Sequence, residues 1–299
     1  MVIPFVRDIT FEYGRTDRVT PLIRRVIANN PGPFTFTGTG TYIVGGGDSV
    51  VVIDPGPEDS AHLDAILAAV EGERVTHILI THHHLDHSPL ARPLQEKTGA
   101  VIYGCAVKEL PAEDTGVRTE AGYDRFTPDV SVCGGGQTIA GDGWTFEAIA
   151  TPGHTSNHIC YALGEENCCF TGDHIMGWST TVVTPPDGDM GDYIASLDLI
   201  KACNFNTLWP THGPPITDVA HFIDEYKAHR FDRERQILDQ LAAGETKITD
   251  MVPKMYVGTD PRLFPAAARS VHAHMIQLVR SGRVKTDGAA DLNSDYRLG

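Results

Sequence analysis

The sequence predicts an α/β sandwich, two sheets packed face to face with helices outside, followed by a small helical domain at the C-terminal end. Three observations carry that prediction. The first half alternates short apolar strand runs with helical periodicity. A second strand-rich block of similar style follows the glycine break Cys133-Gly-Gly-Gly136. Beyond Pro214-Pro215 the texture changes to helix. At 299 residues the chain exceeds one average domain, and a hydrophobic content of 41% permits a substantial core.

Taken in order, Thr41-Tyr-Ile-Val44 and Ser49-Val-Val-Val-Ile53 flank the turn Gly45-Gly-Gly-Asp48 and read as a hairpin. After Asp54-Pro-Gly-Pro57, Leu63, Ile66, Leu67 and Val70 recur at the spacing of one helical face. Val75-Thr-His-Ile-Leu-Ile80 reads as a buried strand, and beyond a His/Asp-rich turn a helix runs toward Thr98. In the second block the strands are Trp144–Ala150, His158–Leu163 and Asn167–Thr171. Ile248, Met251, Val252 and Met255 then fall at i, i+3, i+4 and i+7. A later helix starts with Pro265 in its first turn and stops at Gly282, after Val271, Met275 and Leu278. With Arg283-Val-Lys285 as a short hairpin, this region fits either a separate winged-helix-type domain or a helical extension covering the core.

Composition excludes several classes. No apolar stretch approaches the roughly 18–20 residues a membrane helix needs. The start, Met1-Val-Ile-Pro-Phe-Val-Arg-Asp8, lacks the basic and apolar regions of a signal peptide, so a cytoplasmic protein without a membrane partner is expected. Cys105, Cys133, Cys160, Cys168, Cys169 and Cys203 show no CxxC spacing and are expected to be buried thiols rather than disulfides. The net charge of −15 is uneven: residues 225–299 hold 12 Lys/Arg against 10 Asp/Glu, a balance of +2, which leaves −17 on residues 1–224. That acidity argues against nonspecific nucleic-acid binding by the larger part.

The chemistry concentrates in Thr81-His-His-His-Leu-Asp-His-Ser88, where His82, His84, Asp86 and His87 directly follow a strand. In extended backbone, residues two apart point the same way, so His82 and His84 can grip one ion while Asp86 and His87 turn toward a second. Three further ligand types stand at the ends of apolar segments: His154 in Thr151-Pro-Gly-His-Thr155, Asp173 in Thr171-Gly-Asp173, and His212 in Thr211-His-Gly213. His83 points away from its neighbours, His158 and His174 adjoin the motifs without matching them, and His62, His77, His221, His229, His272 and His274 are read as ordinary polar residues.

In this order and these contexts, the seven residues resemble the metallo-β-lactamase superfamily, over about Thr41 to Gly213. The resemblance implies an αβ/βα sandwich with a dinuclear site at one edge. Under it His82, His84 and His154 hold the first metal, Asp86, His87 and His212 the second, and Asp173 bridges both. A carboxylate suits the bridge because it can offer one oxygen to each of two cations, as imidazole cannot. The nitrogen and oxygen donors, without thiolate, suit two zinc ions, with manganese or iron as alternatives. A hydrolase is then expected, in which a metal-bridging hydroxide oriented by Asp86 attacks a small-molecule ester, thioester, lactam or phosphodiester.

The oxygen-reducing flavin and di-iron branch has Glu where His84 stands, and the mononuclear sulfur-oxidising branch lacks some second-site ligands present here as His87 and His212. Gly172-Asp-His-Ile-Met-Gly-Trp-Ser-Thr-Thr-Val-Val-Thr-Pro-Pro-Asp-Gly-Asp-Met190, with Asp260-Pro-Arg-Leu-Phe-Pro265 and Ser281-Gly-Arg283, is similar to the subgroup containing the mitochondrial β-lactamase-like endoribonuclease and its bacterial relatives. That likeness implies a catalytic domain at 1–217, a helical winged-helix-like domain at 218–299, and single-stranded RNA as the alternative substrate or partner. Trp178, Ser179 and Tyr193 are the candidate substrate contacts, read either as a cleft wall on which a base could stack or as a packed loop closing the pocket.

Overall fold

The computed structural model describes residues 3–107, 122–123 and 125–299. Its first sheet consists of β1 (Thr16–Arg18), β2 (Ile23–Ile27), β3 (Gly40–Gly46), β4 (Ser49–Ile53), β5 (Val75–Leu79), β6 (Val101–Gly104) and β7 (Val130–Ser131), neighbours in that order. The pairs from β1 to β4 are antiparallel and those from β4 to β7 parallel. Parallel neighbours need crossovers, which α1 (Ser60–Ala69) and α2 (Ala91–Thr98) supply between β4, β5 and β6. The second sheet has β8 (Thr138–Gly141), β9 (Trp144–Ala150), β10 (Ile159–Leu163) and β11 (Cys168–Gly172) as an antiparallel meander. Through α3 (Met190–Ala202) it gains β12 (Thr207–Pro210), parallel to β11.

Strands covered on both faces explain the unbroken apolar runs. Tyr42, Val44, Val51 and Ile53 point between the sheets toward Phe146, Tyr161 and Phe170, whereas Ile43, Val50 and Val52 point outward against Ile66 and Leu94 of the helices. The second sheet likewise turns Cys160, Cys169 and Leu208 outward onto Leu197 and Ile200 of α3. Buried polar groups tie the sheets together: Tyr42 Oη donates to Pro210 O at 2.7 Å, Tyr161 Oη to Ile80 O at 2.9 Å, and Trp144 Nε1 to Ser49 O at 2.8 Å.

The C-terminal region begins with α4 (Val219–Ala242), followed by α5 (Ile248–Met255) and α6 (Phe264–Arg280). Phe222, Ile223 and Tyr226 of α4 pack on the sandwich, while Ile237 and Leu241 join a separate core with Met251, Met275 and Leu278. The short hairpin expected near Arg283–Lys285 is formed by β13 (Val284–Thr286) pairing with β14 (Tyr296–Leu298). No described helix is long and apolar enough to cross a membrane.

The expectation for the cysteines needs correction. Cys160, Cys168 and Cys169 are buried thiols, but Cys203 is exposed and Cys105 is disulfide-bonded to Cys133. The reason is topological. Gly104 of β6 pairs with Ser131 of β7 in parallel, and each cysteine lies just beyond its strand, which brings the two Cα atoms within 4.7 Å.

Candidate metal centre

Strands β4, β5, β9, β11 and β12 run toward one edge of the sandwich, where their ends deliver Asp54, the 81–88 turn, His154, Asp173 and His212. The turn is tightened by the His87 and Ser88 N–H groups, both donating to His84 O. Glycine permits two close approaches. At Gly153 (φ 142°), a Cβ would lie 2.3 Å from Tyr193 Cα, and at Gly213 (φ 90°), it would lie 3.0 Å from Trp178 Cδ1.

The seven residues gather into two groups, His82 with His84 and His154, and Asp86 with His87, Asp173 and His212. In the first, His84 Nδ1 lies 2.9 Å from His82 Nε2 and 3.2 Å from His154 Nε2. Tetrahedral zinc with Zn–N of about 2.0–2.1 Å would set such nitrogens roughly 3.3 Å apart. In the second, Asp86 Oδ2 is 3.1 Å from His212 Nε2 and 3.6 Å from His87 Nε2. Asp173 stands between the groups: Oδ2 is 3.6 Å from His87 Nε2 and 4.0 Å from His154 Nε2, and Oδ1 is 3.5 Å from His212 Nε2.

Hydrogen bonds behind the rings fix which nitrogen faces inward. His154 Nδ1 donates to Val182 O at 2.6 Å, His212 Nδ1 to Gly38 O at 3.1 Å, and His87 Nδ1 to Asp54 Oδ2 at 2.9 Å. Thr81 Oγ1 donates to Asp54 Oδ2 at 2.7 Å, which leaves it to accept from His82 Nδ1 at 3.0 Å. Each of these four rings therefore presents an Nε2 lone pair. Among the described residues, buried His87 Nε2, His212 Nε2 and Asp173 Oδ1 face the other members of the group at 3.1–3.6 Å without forming a hydrogen bond of good geometry. Leaving a buried polar group unsatisfied costs about 1–3 kcal/mol, and coordination of a cation would satisfy all three, so the residues fit a metal pair.

The charges divide in the same way. Burial penalises the carboxylates of Asp86 and Asp173, but His87 and His212 outweigh it and hold both well below the usual range. Burial also opposes charge on His87 and His212, and there Asp86 and Asp173 outweigh it and raise both. By contrast, burial and neighbouring imidazoles lower His82 and His84, while burial lowers His154 against the pull of Asp173. One half is thus a neutral three-imidazole seat, and the other pairs two carboxylates with two imidazoles whose Nε2 protons a bound cation would displace. Asp86, with its side chain 26% exposed, is the member of the set that opens to solvent.

Asp54, to which the sequence assigned no role beyond opening Asp54-Pro-Gly-Pro57, lies behind the two groups. Its carboxylate accepts from Thr81 N at 2.8 Å and Thr211 Oγ1 at 2.9 Å in addition to Thr81 Oγ1 and His87 Nδ1. The available signal was an acid directly after the apolar run Val50-Val-Val-Ile53; the structure adds a left-handed conformation (φ 46°) that Asp tolerates better than most residues. His158 also contributes: its Nε2 accepts from Asp173 N at 3.3 Å, and Nδ1 lies 2.9 Å from Thr151 Oγ1. His83, outside both groups, bonds Asn157 Oδ1 at 3.0 Å, and Asn157 Nδ2 donates to the carbonyl of disulfide-bonded Cys105 at 2.9 Å.

The three expected substrate contacts separate. Trp178 stacks on Phe36, centroids 4.9 Å apart, beside the Gly213 that follows His212. Ser179 lines a cavity of about 280 Å³ with Ile3, Phe5, Ala228, His229 and Asp232, none of them in the metal groups. Tyr193 is fully buried and donates to His174 O at 2.8 Å, which places it behind the centre, within the core.

Residues 35–212 match the family model described as Metallo-beta-lactamase superfamily, and residues 248–291 match the Beta-lactamase associated winged helix domain. The chain is 33% identical to a Beta-lactamase-like protein 2 homolog of Caenorhabditis elegans, over 90% of this chain and 88% of that one. It is 34% identical to an Atrochrysone carboxyl ACP thioesterase of Aspergillus chevalieri, over 77% and 69%. Among solved structures, a metallo-beta-lactamase family protein from Thermus thermophilus superposes with a TM-score of 0.75 at 21% identity, covering 94% of this chain and all of that one.

Proposed function

Because the chain belongs to the metallo-β-lactamase superfamily of hydrolases, we propose that it is a dinuclear enzyme with His82, His84 and His154 at one metal position, Asp86, His87 and His212 at the other, and Asp173 bridging. The observation that carries the reading is the Asp173 carboxylate, one oxygen of which faces both His154 and His87 while the other faces His212. We take the metal to be zinc, ahead of manganese or iron, from the nitrogen and oxygen donor set. When bound, the ion pair supplies a water of lowered pKa and polarises the bond under attack. Asp86, open to the cleft, orients the attacking water and accepts its hydrogen bond; Asp54 holds His87 and Thr81 behind it.

For the substrate we favour a small-molecule thioester or ester over a lactam or phosphodiester. A relative named as an acyl-carrier-protein thioesterase supports this, as does the −17 balance of residues 1–224, which repels a long polyanion. Trp178, stacked on Phe36, supplies an apolar wall, with Ser179 beyond it. Cleavage of single-stranded RNA is the second reading, favoured by the winged-helix match and the +2 balance of residues 225–299. We further propose a division near residue 217, with α4 shared between the two parts. Cytoplasmic residence belongs to this reading too; it implies that the Cys105–Cys133 pair meets a reducing thiol pool, and alkylation of thiols in intact cells tests that.

Metal analysis after dialysis should give close to two ions per chain. Asp173→Ala should lower hydrolysis by more than about a hundredfold, beyond the loss typical of a residue that only supports a ligand, with the circular dichroism unchanged. No ion, or only one, in the wild-type protein would sink the dinuclear reading. A panel of chromogenic ester, acyl thioester, β-lactam, bis-phenyl phosphate and single-stranded RNA ranks the substrates; RNA as the best substrate would replace the thioester reading.

A further inference from the structure

The segment from Thr181 to Pro186 lies between the metal centre and the C-terminal helices and is bonded to both. Toward the centre, Thr181 Oγ1 donates to Asp173 O at 2.8 Å, and Val182 O accepts from His154 Nδ1 at 2.6 Å. Toward the helices, Arg230 Nη2 of α4 donates to Thr181 O and Arg269 Nη2 of α6 to Pro185 O, both at 2.5 Å. The two arginines are only 3% and 8% exposed. A second route leads from Arg230 to the same place. Its guanidinium lies 5.1 Å from the centroid of the Tyr193 ring, and Tyr193 packs under Gly153 and donates to His174 O, next to both His154 and Asp173.

Burying a guanidinium carries a desolvation cost that apolar packing would avoid, so two of them aimed at carbonyls of one short segment call for a reason beyond covering the sandwich. Charge-assisted bonds to main-chain carbonyls hold a loop more tightly than neutral ones. The carbonyl of Val182, between the two anchor points, commits the His154 proton to Nδ1 and thereby aims Nε2 at the first metal position.

We propose that Arg230, with Arg269 beside it, is a positioning residue for the metal ligand His154, acting through the Thr181–Pro186 segment, so that the C-terminal helices help build the first metal position. The inference rests on the reading of His82, His84 and His154 as one metal position.

The test measures metal retention in the full-length protein by competition with graded chelators, together with the absorption spectrum of the cobalt-substituted protein. In Arg230→Met one ion should bind about 10–100-fold more weakly, with a changed cobalt spectrum, while the other is retained. Arg230→Lys, which keeps one charged donor, should recover part of the loss. Arg24→Met serves as the control for plain destabilisation, since Arg24 is also only 8% exposed and pairs with Glu73 at 2.7 Å, away from the segment; it should bind both ions as the wild type does. Unchanged affinity and spectrum in Arg230→Met would overturn the proposal, as would equal weakening of both ions matched by Arg24→Met. If Arg230→Met does not fold, Arg269→Met read by the same two measures decides on the same terms. A wild-type protein that binds no ion overturns the parent reading and this one with it.

Discussion

His274 sits in α6 only 2% exposed, and burial, reinforced by the positive charge of Arg230, lowers it from 6.5 to about 3. In the pH window from 6.5 down to about 3 the unfolded chain binds a proton there and the folded one does not, so this residue makes stability fall as pH falls. At about 1.4 kcal/mol per unit, going from pH 7 to pH 5 should cost the wild-type protein about 2 kcal/mol more than His274→Leu, measured by urea unfolding. An equal loss in both would refute the assignment. The His and Asp side chains that the fold gathers into two groups carried a chemical signature in the sequence, because donor type and spacing are local properties. Asp54 carried none: its role comes from meeting Thr81, His87 and Thr211, which the fold gathers from distant points in the chain. Tyr193, beside a ligand-bearing segment, was equally ambiguous, since sequence does not say which face of α3 is buried.

Elements were legible where one pattern held throughout. The β3–β4 hairpin, buried on both faces, and the helical stripe of α1, buried on one, are regular along their whole length. Helix α4 has no single stripe because it changes partners along its length, with Phe222 and Tyr226 on the sandwich, Ile237 and Leu241 in the C-terminal core, and buried Arg230 and Glu234 between. Strand β7 has two exposed residues and carries no pattern, so the neighbour relation that joins Cys105 to Cys133 could not be anticipated. The disulfide spans a sequence separation of 28. Closing a loop of that size should stabilise the fold by roughly 3–4 kcal/mol, so Cys133→Ser should lose that amount in urea unfolding and should no longer respond to reductant. A wild-type protein insensitive to reductant would contradict the pairing.

At the scale of the whole molecule, a net charge of −15 sets the approach of substrates. Screening should favour anionic ones: raising the ionic strength from about 0.01 to 0.15 M shortens the Debye length from about 30 to 8 Å. Under the thioester reading, kcat/KM for an anionic acyl thioester should therefore rise with salt while a neutral ester changes little. A falling kcat/KM for the anionic substrate would point to a local basic entrance that the overall charge conceals. The bond between Cys105 and Cys133 has one more effect at this scale. A protease cut at any peptide bond between those residues would sever the polypeptide without separating the pieces. The nicked protein would migrate as one band on a non-reducing gel and as two once reductant is added, so the fragment masses would locate the cut.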